Sequence, residues 1–350
     1  MPKNRSKTRK TRNKSRLRHS WSGTRRVRQL ALAMFGFGFL WTGLMAGHTT
    51  APVYEAETGV AEMVPELSNS PMLDMVEKSL SGDQSTAAIT EVEWDLAYIE
   101  HERVDYWVDR FTTDKRADFG RFLERKGRYE PMIRQKLAER GMPQDLVYLA
   151  MIESGFQPKA YSVAHASGIW QFIPETGQRY GLEINRAVDE RNDPEKATDA
   201  ALSYLSDLHE RFDSWYLAAA SYNTGENRVG RIMRTRTGSE RGSDHSYYQI
   251  WDHLPRETRD YVPLMIAAAR ISKEPERYGF GDIVPQMPPA IEVLHADPAT
   301  PLATIAARSG ATISQIQELN PHLKLQRTRN DMVSEIRVPA NEPTQIAQAR

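Results

Sequence analysis

The sequence predicts a mainly α-helical chain that closes in a small β-α-α-β unit. Between residues 91 and 275, apolar and aromatic residues recur at helical spacing and almost nothing alternates with a period of two. Residues 279–289 are rich in Gly and Pro and mark a boundary. Beyond them the texture changes to short apolar runs that fit strand, helix, helix and strand. A length of 350 residues leaves room for two to three units of ordinary size, at about 100–200 residues each.

The chain opens on a charged arm. The formal net charge of zero hides an asymmetry: residues 1–28 hold twelve Lys or Arg and no acid, so 34 basic residues face 46 acidic ones in the remainder. A body about twelve charges negative argues against nucleic acid as partner, because such binding needs a positive surface to replace counterions. Residues 30–47 carry no charge over eighteen positions, enough to cross a bilayer as a helix. A basic flank before one apolar segment predicts a cytoplasmic arm (residues 1–29), a membrane anchor or cleaved signal segment (30–47), and export of everything that follows. Small residues at Thr49 and Ala51 suit cleavage, whereas the length of the span suits an anchor, so both readings stand. The Arg25-Arg26 pair hints at twin-arginine export, but Arg28 occupies a position where that signal prefers an apolar residue. The expected location is periplasmic, either anchored in the inner membrane or released. Cysteine is absent, which excludes disulfides, thiol nucleophiles and thiolate metal sites.

Residues 48–90 mix Thr, Ser, Pro, Gly and acids without sustained period and read as a linker. From 91 to 140, Trp94, Leu96, Ile99, Val104, Trp107, Val108 and Phe111, then Phe119, Phe122 and Leu123, predict three helices with short breaks. Pro143 opens a strongly apolar helix that runs through Leu146 and Ile152 and ends at Glu153. A loop follows to Gly168, then a short helix over 168–180 ended by Gly181. A polar turn at 189–194 precedes a long amphipathic helix at 197–212. A second apolar stretch closes on Ser221-Tyr222-Asn223-Thr224-Gly225, residues 233–246 read as a charged, Gly-rich loop, and the helical pattern resumes over 251–271. In the last unit the expected elements are a strand at 291–294, helices at 301–309 and 313–319, and a strand at 335–339.

Chemistry concentrates around Glu153. A helix that is apolar up to its last turn delivers one carboxyl from a dry core to an edge, where desolvation raises its pKa and keeps it able to donate a proton. Proton donation to a leaving oxygen is the first requirement of glycosidic bond cleavage. Ser162 and Gln171 are polar groups among small and apolar neighbours, and Tyr222 and Asn223 follow a core helix. Aromatic faces with amides and hydroxyls are the mixture that binds sugars. Standing alone, Glu153 would read as a solvated helix-end carboxylate; its surroundings change that reading. Trp170 reads equally as site wall or core, Phe172 as core, and His165 as an exposed loop residue without a chemical part. No His or carboxylate cluster has metal-ligand spacing, so neither metal nor cofactor is expected.

Four separated motifs occur in order: Glu153-Ser-x-Phe-x-Pro-x-Ala-x-Ser162, then Gly168-Ile-Trp-Gln-Phe-Ile-Pro-x-Thr-Gly177, then Ala220-x-Tyr-Asn-x-Gly225, then Glu257-Thr-x-x-Tyr-Val-Pro263. Together with Arg128-Tyr129-x-Pro131 and Asp189-x-Arg191-x-Asp193-Pro194, they resemble the soluble-lytic-transglycosylase-like domain family over about residues 95–278, within an expected catalytic domain at 91–278. The resemblance implies a goose-lysozyme-like helical fold around a long cleft. It implies cleavage of the β-1,4 bond between N-acetylmuramic acid and N-acetylglucosamine in peptidoglycan, leaving a 1,6-anhydromuramic end. Glu153 would then protonate the glycosidic oxygen and afterwards accept the proton of the muramic 6-hydroxyl. Ser162, Gln171, Tyr222 and Asn223 would bind the sugar or steady the acid, with Glu257 and Tyr261 further out. His165 and Ser221 depart from the commoner small residue and Ala of the pattern. A hydrolase of the same fold and a non-cutting glycan-binding scaffold are the competing functions.

The C-terminal unit, residues 291–340 after a linker at 279–290, resembles a lysin-motif (LysM) fold through Leu302-x-x-Ile305-Ala306, Ile313-x-x-Ile316-x-x-Leu319-Asn320-Pro321 and Ile336-x-Val338-Pro339. Ala299-Thr300-Pro301-Leu302 stands where Gly-Asp-Thr-Leu is usual. The resemblance implies a degenerate peptidoglycan-binding module; the alternative is a cap packed on the helical block.

Overall fold

Residues 93–340 are described by the structure, a computed structural model. The expected basic arm, membrane or signal segment and linker lie outside the described residues. Among those described, no helix is long and apolar enough to cross a membrane.

Where three helices were expected between 91 and 140, two form: α1 at Glu102–Thr112 and α2 at Arg116–Glu139. Trp94, Leu96 and Ile99 lie in a non-helical segment, yet all three reach the core. Apolar spacing reports which residues face inward, and an irregular strap anchored at three points satisfies it as well as a helix does. The strap is tied down by Asp95, whose carboxylate accepts from the Asp145 N–H at 3.0 Å.

A 3-10 turn at Gln144–Leu146 leads into α3, Val147–Ser154, in which Val147 through Ile152 are all buried. A helix apolar all round belongs at the centre of a bundle. It stops because Gly155 adopts φ 57° and donates its N–H to the Met151 carbonyl. Glu153 is therefore the penultimate residue of the most buried helix.

The helix expected over 168–180 is shorter, α4 at Pro174–Arg179. The residues before it form a tight loop of turns and isolated bridges, Tyr161 with Ser167 and Ser167 with Phe172. Gly168 (φ 86°) and Gln171 (φ 48°) adopt left-handed conformations that no α-helix tolerates. Next comes α5, Pro194–Phe212, with Asp193 as N-cap and Pro194 at its first position. After it, α6 (Trp215–Thr224) and α7 (Glu226–Thr237) are separated by Gly225. The loop expected at 233–246 shrinks to 238–243, because α7 runs to Thr237 and α8 occupies Asp244–Gln249. Arg is a good helix former, and Val229, Gly230 and Met233 supply α7 with a buried side that the charged sequence concealed. The block closes with α9, Arg256–Lys273, which packs on α1, α3 and α6.

The C-terminal unit has the expected order. Strands β1 (Ile291–Ala296) and β2 (Ser334–Pro339) pair antiparallel with Leu294 opposite Ile336, and α10 (Leu302–Ser309) and α11 (Ile313–Leu319) lie between them in sequence. Its own core gathers Ala296, Leu302, Ile305, Ala306, Ile316, Ile336 and Val338.

Candidate active site

Glu153 leaves the core half-buried at the end of α3. Burial pushes its carboxyl up to about 8, the negative charge of Glu257 adds to the rise, and a hydrogen bond from Tyr261 opposes it. The Tyr261 hydroxyl donates to Glu153 Oε1 at 2.6 Å. With Oε1 so occupied, the proton of the acid form sits on Oε2.

Two helices present the partners. On α9, Glu257 and Tyr261 are four residues apart and share one face. On α6, Tyr222 and Asn223 stand in the last turn. Burial, and then the charge of Glu153, hold both Tyr222 and Tyr261 well above the usual phenol range, so both hydroxyls stay protonated as donors. Tyr222 donates to the Trp170 carbonyl at 2.8 Å. Asn223 joins the two helices: its Nδ2 donates to Glu257 Oε1 at 3.3 Å and its Oδ1 accepts from Thr258 at 2.8 Å. Of the five expected residues on these helices, hydrogen bonds pair Glu153 with Tyr261 and Asn223 with Glu257, while Tyr222 bonds to the loop at Trp170.

Ser162 and Gln171 lie in the 160–172 loop, and among the described residues neither hydrogen bonds to Glu153, Tyr222 or Tyr261. Ser162 is buried, and its Oγ accepts from the Ala166 N–H at 3.0 Å, closing its own turn. Gln171 donates through Nε2 to the carbonyls of Ala160 (3.2 Å) and Gly168 (2.8 Å). Both side chains shape the loop that borders the acid. The loop meets the acid's helix through Ser154, whose Oγ donates to the Ile169 carbonyl at 2.9 Å.

Residues 130–243 match the family described as the Transglycosylase SLT domain. Among curated relatives, membrane-bound lytic murein transglycosylase D of Escherichia coli (strain K12) is 36% identical over 197 residues, 56% of this chain and 43% of that protein. A peptidoglycan transglycosylase of Escherichia phage T7 is 30% identical over 161 residues, 45% of this chain and 12% of that protein. The chain therefore spans less than half the length of these relatives. Among solved structures, the 70 kDa soluble lytic transglycosylase of Escherichia coli aligns over 51% of this chain and 29% of its own, at 23% identity and a TM-score of 0.37.

Within the matched segment, Trp170 and Phe172 are core: Trp170 is fully buried, with its Nε1 donating to Thr198 at 2.9 Å. His165 is an exposed loop residue whose Nδ1 meets the Tyr161 hydroxyl at 2.7 Å. Two supporting groups escaped the sequence reading of the site. Arg125 donates to the Gly155 carbonyl at 2.6 Å and pins the helix end that carries Glu153. Arg191, buried to 4% exposure, donates to the carbonyls of His165 (2.6 Å) and Phe172 (3.0 Å) while Asp189 grips its guanidinium in two places. A charged residue in a motif was the available signal; its role needed knowledge of which carbonyls it reaches.

Proposed function

We propose that this chain is a peptidoglycan lytic transglycosylase that cleaves the β-1,4 bond between N-acetylmuramic acid and N-acetylglucosamine, with Glu153 as general acid and then base. The observation that carries the reading is a single carboxyl held protonated near neutrality, with one oxygen fixed by Tyr261 and the other free to donate. In the first step Oε2–H gives its proton to the glycosidic oxygen as the bond to the anomeric carbon breaks. The resulting carboxylate is stabilised by the Tyr261 hydroxyl. In the second step it removes the proton of the muramic 6-hydroxyl as that oxygen bonds to the anomeric carbon, which restores the acid and leaves a 1,6-anhydro end. Ser162, Gln171, Tyr222 and Asn223 are the proposed sugar contacts and supports, with Glu257 and Tyr261 behind the acid. The substrate is consistent with relatives named for murein and peptidoglycan. Residues 30–47 are the proposed membrane anchor or export signal and the proposed location is periplasmic, a reading supported by a relative named membrane-bound. The C-terminal unit at 291–340 keeps its LysM-like reading as a proposal.

One observation favours a second reading. Glu257 is the carboxylate whose charge Glu153 feels, and two-carboxylate glycosidases use such a partner to activate water or attack the sugar, at about 5–9.5 Å. Digestion of purified peptidoglycan by the full chain, with mass spectrometry of the muropeptides, separates the two. Muramic ends lighter by one water, lost in Glu153→Gln with turnover down roughly 10²–10⁴-fold, support the transglycosylase. Reducing muramic ends identify a hydrolase, and clearing of cell wall by Glu153→Gln equal to wild type refutes the acid.

A further inference from the structure

We propose that the C-terminal unit is a brace that positions the 160–172 loop beside Glu153, with Arg337 as the positioning residue that anchors it. The proposal goes beyond the assigned chemistry and rests on that reading only for its activity readout.

The brace grips one short segment, residues 187–193, at both ends. At the first end the chain at 322–324 adds to it like a strand: Asp189 N–H donates to the His322 carbonyl and Lys324 N–H donates to the Ala187 carbonyl, both at 2.9 Å, around a bridge of Val188 with Leu323. At the other end Arg337, from β2, donates to both oxygens of Asp193, at 2.8 Å and 3.1 Å. Asp193 is 1% exposed. A carboxylate that deep needs a paired cation, and here the cation comes from another part of the chain. Its remaining contacts are His322 Nδ1, 3.2 Å from Oδ2 and from the same C-terminal unit, and the N–H groups of Glu195 and Lys196, so the same carboxylate caps α5. Arg329 adds an ion pair to Glu183.

The gripped segment is the one on which the loop rests. Asp189 holds Arg191, and Arg191 binds the loop carbonyls of His165 and Phe172. Ser167 donates to Asn192 at 2.7 Å. Gly168 lies so close to the Arg191 carbonyl that a Cβ would fall 1.7 Å from its oxygen. The loop in turn offers the Ile169 carbonyl to Ser154 and the Trp170 carbonyl to Tyr222, the two neighbours of the acid. Contact is therefore continuous from Arg337 to the residues flanking Glu153, through buried or half-buried hydrogen bonds and the chain between Asp189 and Asp193. Sub-ångström displacement of a positioned group is enough to slow chemistry without abolishing binding.

The test compares full-length wild type, Arg337→Met, Arg337→Lys and the exposed control Arg308→Ala by hydrogen exchange and by turnover of purified peptidoglycan. Expected for Arg337→Met is exchange of the amides between His165 and Phe172 about tenfold faster, with α3 and α9 unaffected. Turnover should fall about tenfold at little changed KM. Arg337→Lys should recover most of both, and Arg308→Ala should match wild type. If Arg337→Met does not fold, Arg329→Ala weakens the same interface at its half-exposed edge and is read by the same exchange. Loop exchange unchanged in a folded Arg337→Met or Arg329→Ala overturns the brace. Absence of cleavage by wild type overturns the proposed function instead, and the exchange result still decides the brace.

Discussion

Replacing the candidate acid should make the protein more stable in mild alkali. In the unfolded chain Glu153 titrates near 4.5, whereas in the fold its carboxyl is pushed up to about 8, chiefly by burial. Between those values the unfolded state has released a proton that the native state retains. Stability then falls as pH rises, by about 1.4 kcal/mol per pH unit, and levels off above the folded value. The gap of about 3.5 pH units sets an upper limit of about 5 kcal/mol. Because the side chain is half-buried and partly screened by solvent, about 2–4 kcal/mol is the expected size. Glu153→Gln removes the titration, and its amide oxygen still accepts from Tyr261. Urea unfolding of both proteins at intervals from pH 4 to pH 9 checks this. The two curves should lie close together at the acid end and separate steadily above pH 5, with the variant more stable. Parallel curves across the whole range would refute the reasoning, because they would mean that the folded carboxyl ionises like an exposed one.

Activity should lose its acid form with an alkaline limb near pH 8, and two substitutions should move that limb in opposite directions. Tyr261→Phe removes a bond that stabilises the carboxylate and should shift the midpoint up by about one pH unit, while Glu257→Gln removes a neighbouring negative charge and should shift it down; a pH–rate series in which both move the same way would contradict the assignment. Gly168 and Gly181 share φ 86° but differ in surroundings, the first facing the Arg191 carbonyl and the second open space. Thermal denaturation should show Gly181→Ala losing about 1 kcal/mol and Gly168→Ala at least about 3 kcal/mol, since only the latter must also displace backbone; equal losses would mean that the loop yields freely.

Helical character, the order of elements in the C-terminal unit and the place of Glu153 at a helix end were legible in the sequence, because each depends on periodicity or on Gly and Pro within a few residues. The apolar run from Leu146 to Ile152 announced a buried helix, and the Gly, Pro and Ser positions after Glu153 announced the loop that ends it. Misreadings fell where a local pattern had two solutions. Trp94, Leu96 and Ile99 were spaced for a helix but serve as an irregular strap, and the Arg-rich stretch after Met233 looked like a loop but extends α7. The loop at 168–173 carries helix-compatible residues, and left-handed Gly168 and Gln171 with extended Ile173 break it.

What the sequence by itself determined was the cast: one acid after an apolar helix, two tyrosines, an asparagine and a second carboxylate in recognisable motifs. Tertiary structure alone decided how they act on one another. Glu153 becomes a weak acid because core packing removes water from it and because α9, more than a hundred residues away in sequence, lays Tyr261 and Glu257 beside it. Asp193 read as part of a polar turn, and the fold makes it both the cap of α5 and the buried counter-charge of Arg337. Desolvation and charge pairing depend on distances in space, and those become defined only when the chain has folded.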